Sequence, residues 1–346
     1  MSAPRLTIEL DAIAGNWRAL NALSASDVQT GAVVKADAYG LGVEKVAPVL
    51  QAAGAQVFFV AMASEAVPLR EVIGPEPEIY VFAGYTPGDA EVVAQTRLRP
   101  LLNSPEQISA FRAAFGAAPC GLQLDSGMNR LGLEPQDLSA VDLGGLDTRL
   151  FMSHLACANT PDHPQNAAQL SNFRQMTAGF PQDRLSLAAT GGTIIGPKYH
   201  FAMTRPGVGL FGGQPFDRAQ PVLQLDIPIL QTRDVAVGES VGYGAAWVAK
   251  RPSRIATLSA GYADGLFRAL GTGMTFYHNH TPCPSVGPVS MDLITVDITD
   301  LDACPDSLSL LGPDQDIDSL AAVAGTIGYE VLTALGTRYN RVYNGG

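Results

Sequence analysis

Short apolar runs alternate with stretches of helical periodicity through the first two-thirds of this chain, and this alternation limits the fold more than any other feature. The apolar runs are Ala32–Val34, Gln56–Ala61, Ile79–Phe82, Pro100–Leu102, Gly121–Leu124, Leu150–His154, Leu185–Ala188 and Ala202–Phe211. Eight buried strands separated by helices predict a parallel (β/α)8 barrel. An open doubly wound sheet is the alternative, because the fourth run is weak.

The final third of the chain changes to the alternating pattern of half-buried strands, with Gly and Pro turns between them. Val222–Leu230 and Ile294–Ile298 alternate in this way. Ser319–Leu335 has helical periodicity instead, with Asp316 or Asp318 as its N-cap. This region is therefore predicted to be a mostly β domain that also contains a helix.

The predicted fold class is α/β, a (β/α)8 TIM-type barrel followed by a mostly β C-terminal domain. A length of 346 residues suits two domains. We expect the barrel over residues 10–217 and the β-rich domain over 218–346 together with 1–9.

Composition and charge exclude several classes of protein. The net charge of −11 at pH 7 makes nucleic acid or an anionic membrane an unfavourable partner. The chain has no apolar run of about 18 residues, which a membrane span needs, and residues 1–9 lack the apolar segment of a secretion signal. The four cysteines have no CxxC spacing, and His278 and His280 have no third ligand nearby. We expect a cytoplasmic protein with no metal site.

Lysine 35 directly follows the first apolar run, where its side chain points beyond the end of the strand. In a parallel barrel the chemistry occurs at the C-terminal ends of the strands. Arg130, His154, Thr190 and Arg205 also follow or end apolar runs. The alternatives are a snorkelling lysine and a histidine packed in the core.

Glycines near the end of the last run match the spacing GxGxxG over Gly207–Gly212. We expect no dinucleotide site here, because Gly213-Gln-Pro215 follows instead of a helix. The backbone N–H groups of Gly207 and Val208 are still suited to hold a phosphate.

Five separated motifs together resemble the alanine racemases, from one end of the chain to the other. The motifs are Val34-Lys-Ala-Asp-Ala-Tyr-Gly-Leu-Gly42, Leu124-Asp-Ser-Gly-Met-Asn-Arg-Leu-Gly132, Arg205-Pro-Gly-Val-Gly-Leu-Phe-Gly212, Gly261-Tyr-Ala-Asp-Gly265 and Met291-Asp292. The resemblance implies a barrel plus a β domain, pyridoxal 5′-phosphate as cofactor, and a head-to-tail homodimer with shared active sites. It also implies that Leu6–Leu10 pairs with the β domain.

The resemblance assigns a role to each matching residue. The residues implied to bind the cofactor are Lys35, Tyr39, Arg130, His154, Thr190, Arg205, Gly207 and Val208. The residues implied to bind the substrate are Arg130, Tyr262, Met291 and Asp292, the last three from the partner subunit. The two implied catalytic bases are Lys35 for D-alanine and Tyr243, from the partner, for L-alanine.

The implied activity is the two-base interconversion of L-alanine and D-alanine, which supplies D-alanine for cell-wall peptidoglycan. A broader-specificity amino-acid racemase and a non-catalytic barrel that carries the cofactor are the alternatives. Gln123, Ala189 and Thr337 depart from the residues usual in the family. Since Gln123 replaces a carbamylated lysine, we expect no need for carbon dioxide, with either a small anion such as chloride or water beside Arg130.

Overall fold

The structure is a computed structural model that describes residues 3–346. The first two residues of the predicted segment 1–9 lie outside the described residues. The chain divides into two compact units. The barrel unit comprises Ile13–Ala219, and the β-rich unit combines the N-terminal residues through Ala12 with Gln220–Gly346.

Short parallel strands form the barrel unit, after a first strand, β1 (Arg5–Glu9), that belongs to the β-rich unit. The barrel strands are β2 (Gln29–Thr30), β3 (Ala32–Val33), β4 (Val57–Val60), β5 (Glu78–Val81), β6 (Arg99–Leu102), β7 (Pro119–Gln123), β8 (Asp147–Met152), β9 (Leu185–Ser186) and β10 (Met203–Thr204). Strands β3 to β9 form one parallel sheet in chain order, and β10 pairs with β2.

Three backbone hydrogen bonds close this sheet into a barrel. Gly31 N–H, between β2 and β3, donates to Thr204 O at 2.8 Å, and Arg205 N–H donates to Ala188 O at 2.8 Å. Val33 N–H donates to Pro206 O at 2.9 Å. Since β2 and β3 are two halves of one strand, the predicted eight-stranded barrel is confirmed, and the doubly wound alternative is wrong.

Helices follow most of the barrel strands, as the alternation of patterns predicts. They are α1 (Leu10–Asn21), the left-handed turn α2 (Lys35–Gly40), α3 (Val43–Ala53), α4 (Ala66–Ile73), α5 (Ala90–Thr96), α6 (Pro105–Phe115), α7 (Pro135–Ala140), α8 (Pro164–Met176) and α9 (Thr190–Ile194). Ser104 caps α6 by accepting a hydrogen bond from Gln107 N–H, which satisfies a donor that the helix itself leaves free. None of the helices within residues 3–346 has the length and apolar character needed to cross a membrane.

The β-rich unit is built on an eight-stranded sheet. Its strands after β1 are β11 (Leu223–Val235), β14 (Ser253–Leu258), β15 (Thr275–His278), β16 (Thr281–Pro284), β17 (Ile294–Asp297), β18 (Ser307–Leu311) and β19 (Asn340–Asn344). Strands β12 (Ser240–Val241) and β13 (Trp247–Val248) pair with each other in a separate two-stranded sheet. Strand β1 pairs antiparallel with β11 and parallel with β19, so the N-terminal strand joins the eight-stranded sheet as expected.

Two predicted elements are shorter in the structure than their sequence patterns. The run Ser319–Leu335 forms two helices, α10 (Ile317–Val323) and α11 (Gly328–Ala334), because Gly325 between them takes a left-handed φ of 69°. Asp316 is the N-cap, and its carboxylate accepts from Ser319 N–H at 2.7 Å. The run Ala202–Phe211 is a strand only through Thr204, since its last four residues form a 3-10 turn.

Candidate active site

Lysine 35 begins a left-handed turn at the end of the first barrel strand. The four following residues, Ala36 to Tyr39, have φ between 53° and 56°. This conformation costs roughly 1–2 kcal/mol for each residue other than glycine. Hydrogen bonds offset part of that cost, because Ala38 N–H donates to Val34 O and Val43 N–H donates to the Asp37 carboxylate. The turn therefore fixes the direction in which Lys35 leaves the strand.

Glutamate 65 holds the same turn from the neighbouring strand. Its Oε1 accepts from Ala36 N–H at 3.2 Å, and its Oε2 accepts from Ala61 N–H, just after β4, at 2.9 Å. One carboxylate thus joins the ends of two adjacent strands. Sequence patterns do not single out Glu65, because it lies in a 3-10 turn without periodic signal.

The environment of the Lys35 ammonium favours its neutral form. Burial lowers the pKa of Lys35, the positive charge of Arg130 lowers it further, and Glu65 opposes both effects. Lys35 Nζ lies 6.0 Å from the centroid of the Phe82 ring. A lysine with a lowered pKa is a better nucleophile and base near neutral pH.

Arginine 205 is fully enclosed in the barrel. Its guanidinium donates to Ser186 Oγ, to Ser153 O at 2.7 Å and to Leu187 O at 3.4 Å. Burial lowers the pKa of Arg205 to about 9. Since that value is still above neutral pH, the side chain keeps its charge there.

Histidine 154 lies near three cations and is held neutral. Burial lowers the pKa of His154 to about 3, with further contributions from Arg205, Arg130 and Lys35. Because the charges of Arg205, Arg130 and Lys35 all lower the pKa of His154, these four side chains lie in one region of the barrel. Four of the predicted residues are therefore brought together.

Thr190, Gly207 and Tyr39 form a second group in the barrel. Thr190 Oγ1 accepts from Gly207 N–H at 3.0 Å and from Gly209 N–H at 3.3 Å. A Cβ at Gly207 would lie 2.4 Å from the Tyr39 hydroxyl, so only glycine fits here. The Tyr39 ring packs on Phe211 with 4.8 Å between centroids. Val208, also buried, follows in the 3-10 turn.

The loop after β7 carries Arg130, which is exposed. The Asp125 carboxylate accepts from Gly127 N–H at 2.8 Å and from Met128 N–H at 2.7 Å, which shapes the start of the loop. Gln123 is buried, and its Nε2 donates to Leu131 O at 3.1 Å. Gln123 therefore binds the backbone of this loop directly after Arg130.

The other four predicted residues lie in the β-rich unit. Tyr243 is 74% exposed and stands between Gly242 and Gly244, which have φ of 80° and 68°. A depression of about 390 Å³ beside Tyr243 is lined by Thr257, Ser290 and Thr295, among others. The tyrosine hydroxyl is thus presented on the surface of its own unit.

Tyr262 and Met291 are neighbours through backbone pairing. Tyr262 N–H donates to Ser290 O, and Ala263 N–H donates to Met291 O, both at 3.0 Å. Tyr262 is 41% exposed and Met291 is 54% exposed. Large apolar side chains exposed together usually mark a binding or interaction surface.

An ion-pair network between residues far apart in the sequence supports this surface. Arg338 contacts both carboxylate oxygens of Asp264, at 2.7 and 2.8 Å, and also binds Asp292 at 2.7 Å. Asp264 is buried, and its Oδ2 accepts from Gly261 N–H at 2.8 Å. The position of Asp264 three residues after a glycine is the available sequence signal, but its partner Arg338 lies far along the chain.

The described residues contain no group of three or more His, Cys, Asp or Glu side chains placed to hold a metal ion. His280 instead forms a hydrogen bond of 2.7 Å with Asp314, which raises the pKa of His280.

A closed parallel barrel with an activated lysine at the end of its first strand, in a chain that also folds a β-rich domain, defines the barrel class of pyridoxal-phosphate enzymes. The chain belongs to the alanine racemase family: the model of the alanine racemase N-terminal domain matches residues 8–215, and that of the C-terminal domain matches residues 222–343. Enzymes of this family are isomerases that depend on pyridoxal phosphate.

Individual relatives agree with this assignment over the whole chain. An alanine racemase of Cereibacter sphaeroides (strain ATCC 17029 / ATH 2.4.9) is 54% identical, over 99% of both chains. The crystal structure of alanine racemase from Bartonella henselae with covalently bound pyridoxal phosphate has a TM-score of 0.94 and 36% identity, and the match covers 99% of this chain and 100% of that one. The biosynthetic alanine racemase from Pseudomonas aeruginosa has a TM-score of 0.92 and 34% identity over 100% of both chains.

Proposed function

We propose that this protein interconverts L-alanine and D-alanine with pyridoxal phosphate and two bases, Lys35 and Tyr243, and so supplies D-alanine for peptidoglycan. The observation that carries the proposal is the half-buried Lys35, whose lowered pKa and fixed direction suit both cofactor attachment and proton transfer. The full-length likeness to alanine racemases supports the same activity.

The residues of the barrel fit the proposed cofactor. Lys35 supplies the amine that attaches to its aldehyde. Gly207 leaves free the space that a Cβ would take beside Tyr39, and Thr190 orders the backbone of Gly207. These residues and Val208 would hold the phosphate, where N–H groups and hydroxyls are suitable donors.

Racemisation removes a proton from Cα on one face and returns it on the other. When bound, pyridoxal phosphate stabilises the negative charge that develops at Cα. Lys35 takes or returns the proton of D-alanine through its amine. Tyr243 does the same for L-alanine through its phenolic oxygen, because two bases on opposite faces are needed.

Arg205, His154 and Arg130 complete the part of the site that the barrel supplies. Arg205 remains protonated at neutral pH, so it would donate a hydrogen bond to the cofactor's pyridine nitrogen without giving up a proton to it. His154 stays neutral and would contact the cofactor's pyridine ring without bringing a further charge to it. Arg130 binds the substrate carboxylate, for which a guanidinium is the best-matched donor.

The β-rich domain of a second copy completes each site in this proposal. Exposure of Tyr243, Tyr262 and Met291 supports an interface there, because large apolar groups are usually covered in the assembled protein. Tyr262, Met291 and Asp292 of the partner would line the substrate entrance. The barrel, over 10–217, holds the cofactor, and the domain formed by 218–346 with 1–9 supplies the second base.

We further propose that the enzyme works in the cytoplasm. All four cysteines are free thiols, which a reducing compartment maintains.

The activity is tested by loading the purified protein with pyridoxal phosphate and following the optical rotation of L-alanine and of D-alanine. A panel of other amino acids is measured in parallel. Equal rates on several large amino acids would favour a broader racemase. Absence of turnover on alanine, with cofactor bound, would contradict the proposal.

Shared sites are tested by subunit exchange. Lys35→Ala should be inactive and Tyr243→Phe strongly impaired on L-alanine when each is measured alone. Mixing them should restore activity, because a hybrid dimer contains one intact site. Recovery is compared with exchange between two Lys35→Ala preparations carrying different tags. Verified hybrids without activity would rule out the shared site.

A further inference from the structure

Glutamine 169 is buried on the face of α8 that lies against the ends of two barrel strands. It is 0% exposed. Burying an amide is costly unless its polar atoms are satisfied. Each hydrogen bond of its side-chain amide goes to a segment that carries a predicted active-site residue.

The two ends of this amide hold the segment that contains His154. Gln169 Nε2 donates to His154 O at 2.9 Å, and Oε1 accepts from Ala156 N–H at 2.8 Å. The backbone on both sides of Leu155 is therefore fixed by one side chain. Since χ1 of His154 starts from this backbone, its ring position depends on Gln169.

The same Nε2 also reaches the loop that carries Arg130. It lies 3.4 Å from Ser126 Oγ, and Ser126 Oγ lies 2.8 Å from Ser153 Oγ. The carbonyl of Ser153 in turn accepts from Arg205 at 2.7 Å. Gln169 thus connects the root of the Arg130 loop with the segment that binds Arg205.

Two further amides on α8 contact this loop, at helical spacing from Gln169. Gln165 Nε2 donates to Gly127 O at 2.7 Å, and Asn172 Nδ2 donates to Ser126 O at 3.0 Å. Residues 165, 169 and 172 lie on one face of the helix. A cavity of about 610 Å³ borders the loop at Asp125 and Gly127. Because apolar packing is incomplete there, hydrogen bonds determine where the loop lies.

We propose that Gln169 is a positioning residue for racemisation, which sets the placement of both His154 and the Arg130 loop without touching the substrate or cofactor. The inference rests on the proposed function. It predicts that loss of the amide disturbs the cofactor environment and substrate binding beyond any loss of stability.

The test compares Gln169→Met with Asn166→Leu, each of which replaces a buried amide by an apolar side chain of similar size. Asn166 is 1% exposed on the same helix. Its Nδ2 contacts the carbonyls of Cys157, Thr160 and Pro161, and it touches neither His154 nor Ser126. Asn166→Leu therefore serves as the matched structural control.

The measurements are kcat and KM for L-alanine, the visible circular dichroism of the bound pyridoxal phosphate, and the midpoint of thermal unfolding. Gln169→Met should lower kcat/KM about 10²-fold, partly through KM, since small misplacements of binding groups have effects of this order. Its visible circular dichroism should differ from wild type. Asn166→Leu should keep both properties, even with a comparable fall in unfolding midpoint.

Wild-type kcat/KM and circular dichroism in folded Gln169→Met would overturn the proposal, as would equal changes in Asn166→Leu. If Gln169→Met does not fold, Gln169→Glu decides by the same criteria, because it keeps an acceptor for Ala156 N–H and loses the donors. An inactive wild type would instead contradict the proposed function, so the two failures are distinguishable.

Discussion

Lysine 35 owes its proposed reactivity to where the first strand ends. Burial and Arg130 both lower its pKa, while Glu65 limits the shift. Losing the proton therefore costs less free energy for Lys35 than for a lysine in water. The site therefore activates the amine before any ligand arrives.

Replacing Lys35 by Ala should remove covalent attachment of the cofactor and abolish racemisation. After borohydride reduction of the loaded protein, mass spectrometry of the peptides should find the cofactor on the peptide that contains Lys35. Lys45→Ala, which changes an exposed lysine ten positions later, should leave attachment and activity intact. A reduced cofactor on the Lys35→Ala protein would contradict the assignment.

Tyr243 is 74% exposed, and its proposed role as the second base would account for this exposure. Tyr243→Phe removes only the phenolic oxygen, so cofactor binding should stay at the wild-type level. Proton removal from L-alanine should slow by about 10²–10⁴-fold, the usual contribution of one general base. The exchange of the Cα proton with deuterium, followed by NMR, measures this step.

Tyr277→Phe in the same unit is the control for Tyr243→Phe, because it removes an equivalent hydroxyl outside the proposed site. Its exchange rate should match wild type. A Tyr243→Phe enzyme that exchanges L-alanine at the wild-type rate would eliminate Tyr243 as the base.

At the scale of elements, the left-handed turn α2 is held by Glu65 from the segment after β4, in addition to the hydrogen bonds made by its own residues. Glu65 accepts one hydrogen bond from α2 and one from the end of β4. The charge that fixes the turn is also the charge that opposes deprotonation of Lys35. The Glu65 carboxylate therefore both holds the turn and raises the pKa of Lys35.

The coupling predicts opposite effects of two charge removals in the apoenzyme. Glu65→Gln removes the charge that raises the pKa of Lys35, and Arg130→Gln removes one that lowers it. Only the neutral amine attacks pyridoxal phosphate, so the attachment rate increases as pH rises through this pKa. The midpoint of the rate profile should move to lower pH in Glu65→Gln and to higher pH in Arg130→Gln. Shifts in the same direction would contradict the electrostatic account.

In the β-rich unit, the ion pair of Asp264 and Arg338 holds two loops in place, as Glu65 holds the turn α2 in the barrel unit. Arg338 spans the buried Asp264 and the exposed Asp292, and so connects the loop of Tyr262 with that of Met291. Two bonds to one carboxylate restrict orientation as well as distance. This arrangement holds the proposed substrate entrance in place.

At the scale of the whole molecule, His154 makes the fold sensitive to acid, because its surroundings disfavour the charged imidazole. Its pKa in the folded chain is about 3, against an ordinary value of 6.5. The unfolded chain therefore binds a proton that the folded chain rejects. Well above pH 6.5 the ring is neutral in both states and adds no pH dependence, whereas it lowers the free energy of unfolding progressively as the pH falls from 6.5 towards 3.

His154→Gln should remove this pH dependence from the apoenzyme. The urea midpoint of unfolding should fall less between pH 6.5 and 4 in the variant than in wild type. His278→Gln, which changes a histidine of the β-rich unit, should keep the wild-type slope. Identical slopes in all three proteins would show that His154 does not titrate as described.

The sequence by itself determined the barrel and the location of Lys35. Alternation between apolar runs and helical periodicity is a local property, and it specifies strands such as β4 and helices such as α6 without any distant contact. A residue directly after a strand is placed by its covalent neighbours. Local pattern also limits the N-cap of α10 to Asp316 or Asp318, and the structure shows that it is Asp316.

Only the tertiary structure decided which polar residues support the site. Gln169 and Ser126 are 43 positions apart, and Asp264 and Arg338 are 74 positions apart. Neither pair has a periodic signature, since hydrogen bonds between distant segments depend on how the chain returns to the same point. The break between α10 and α11 likewise depends on packing and on the φ of Gly325. Short-range patterns define elements, whereas the contacts that orient functional side chains form only when the elements are assembled.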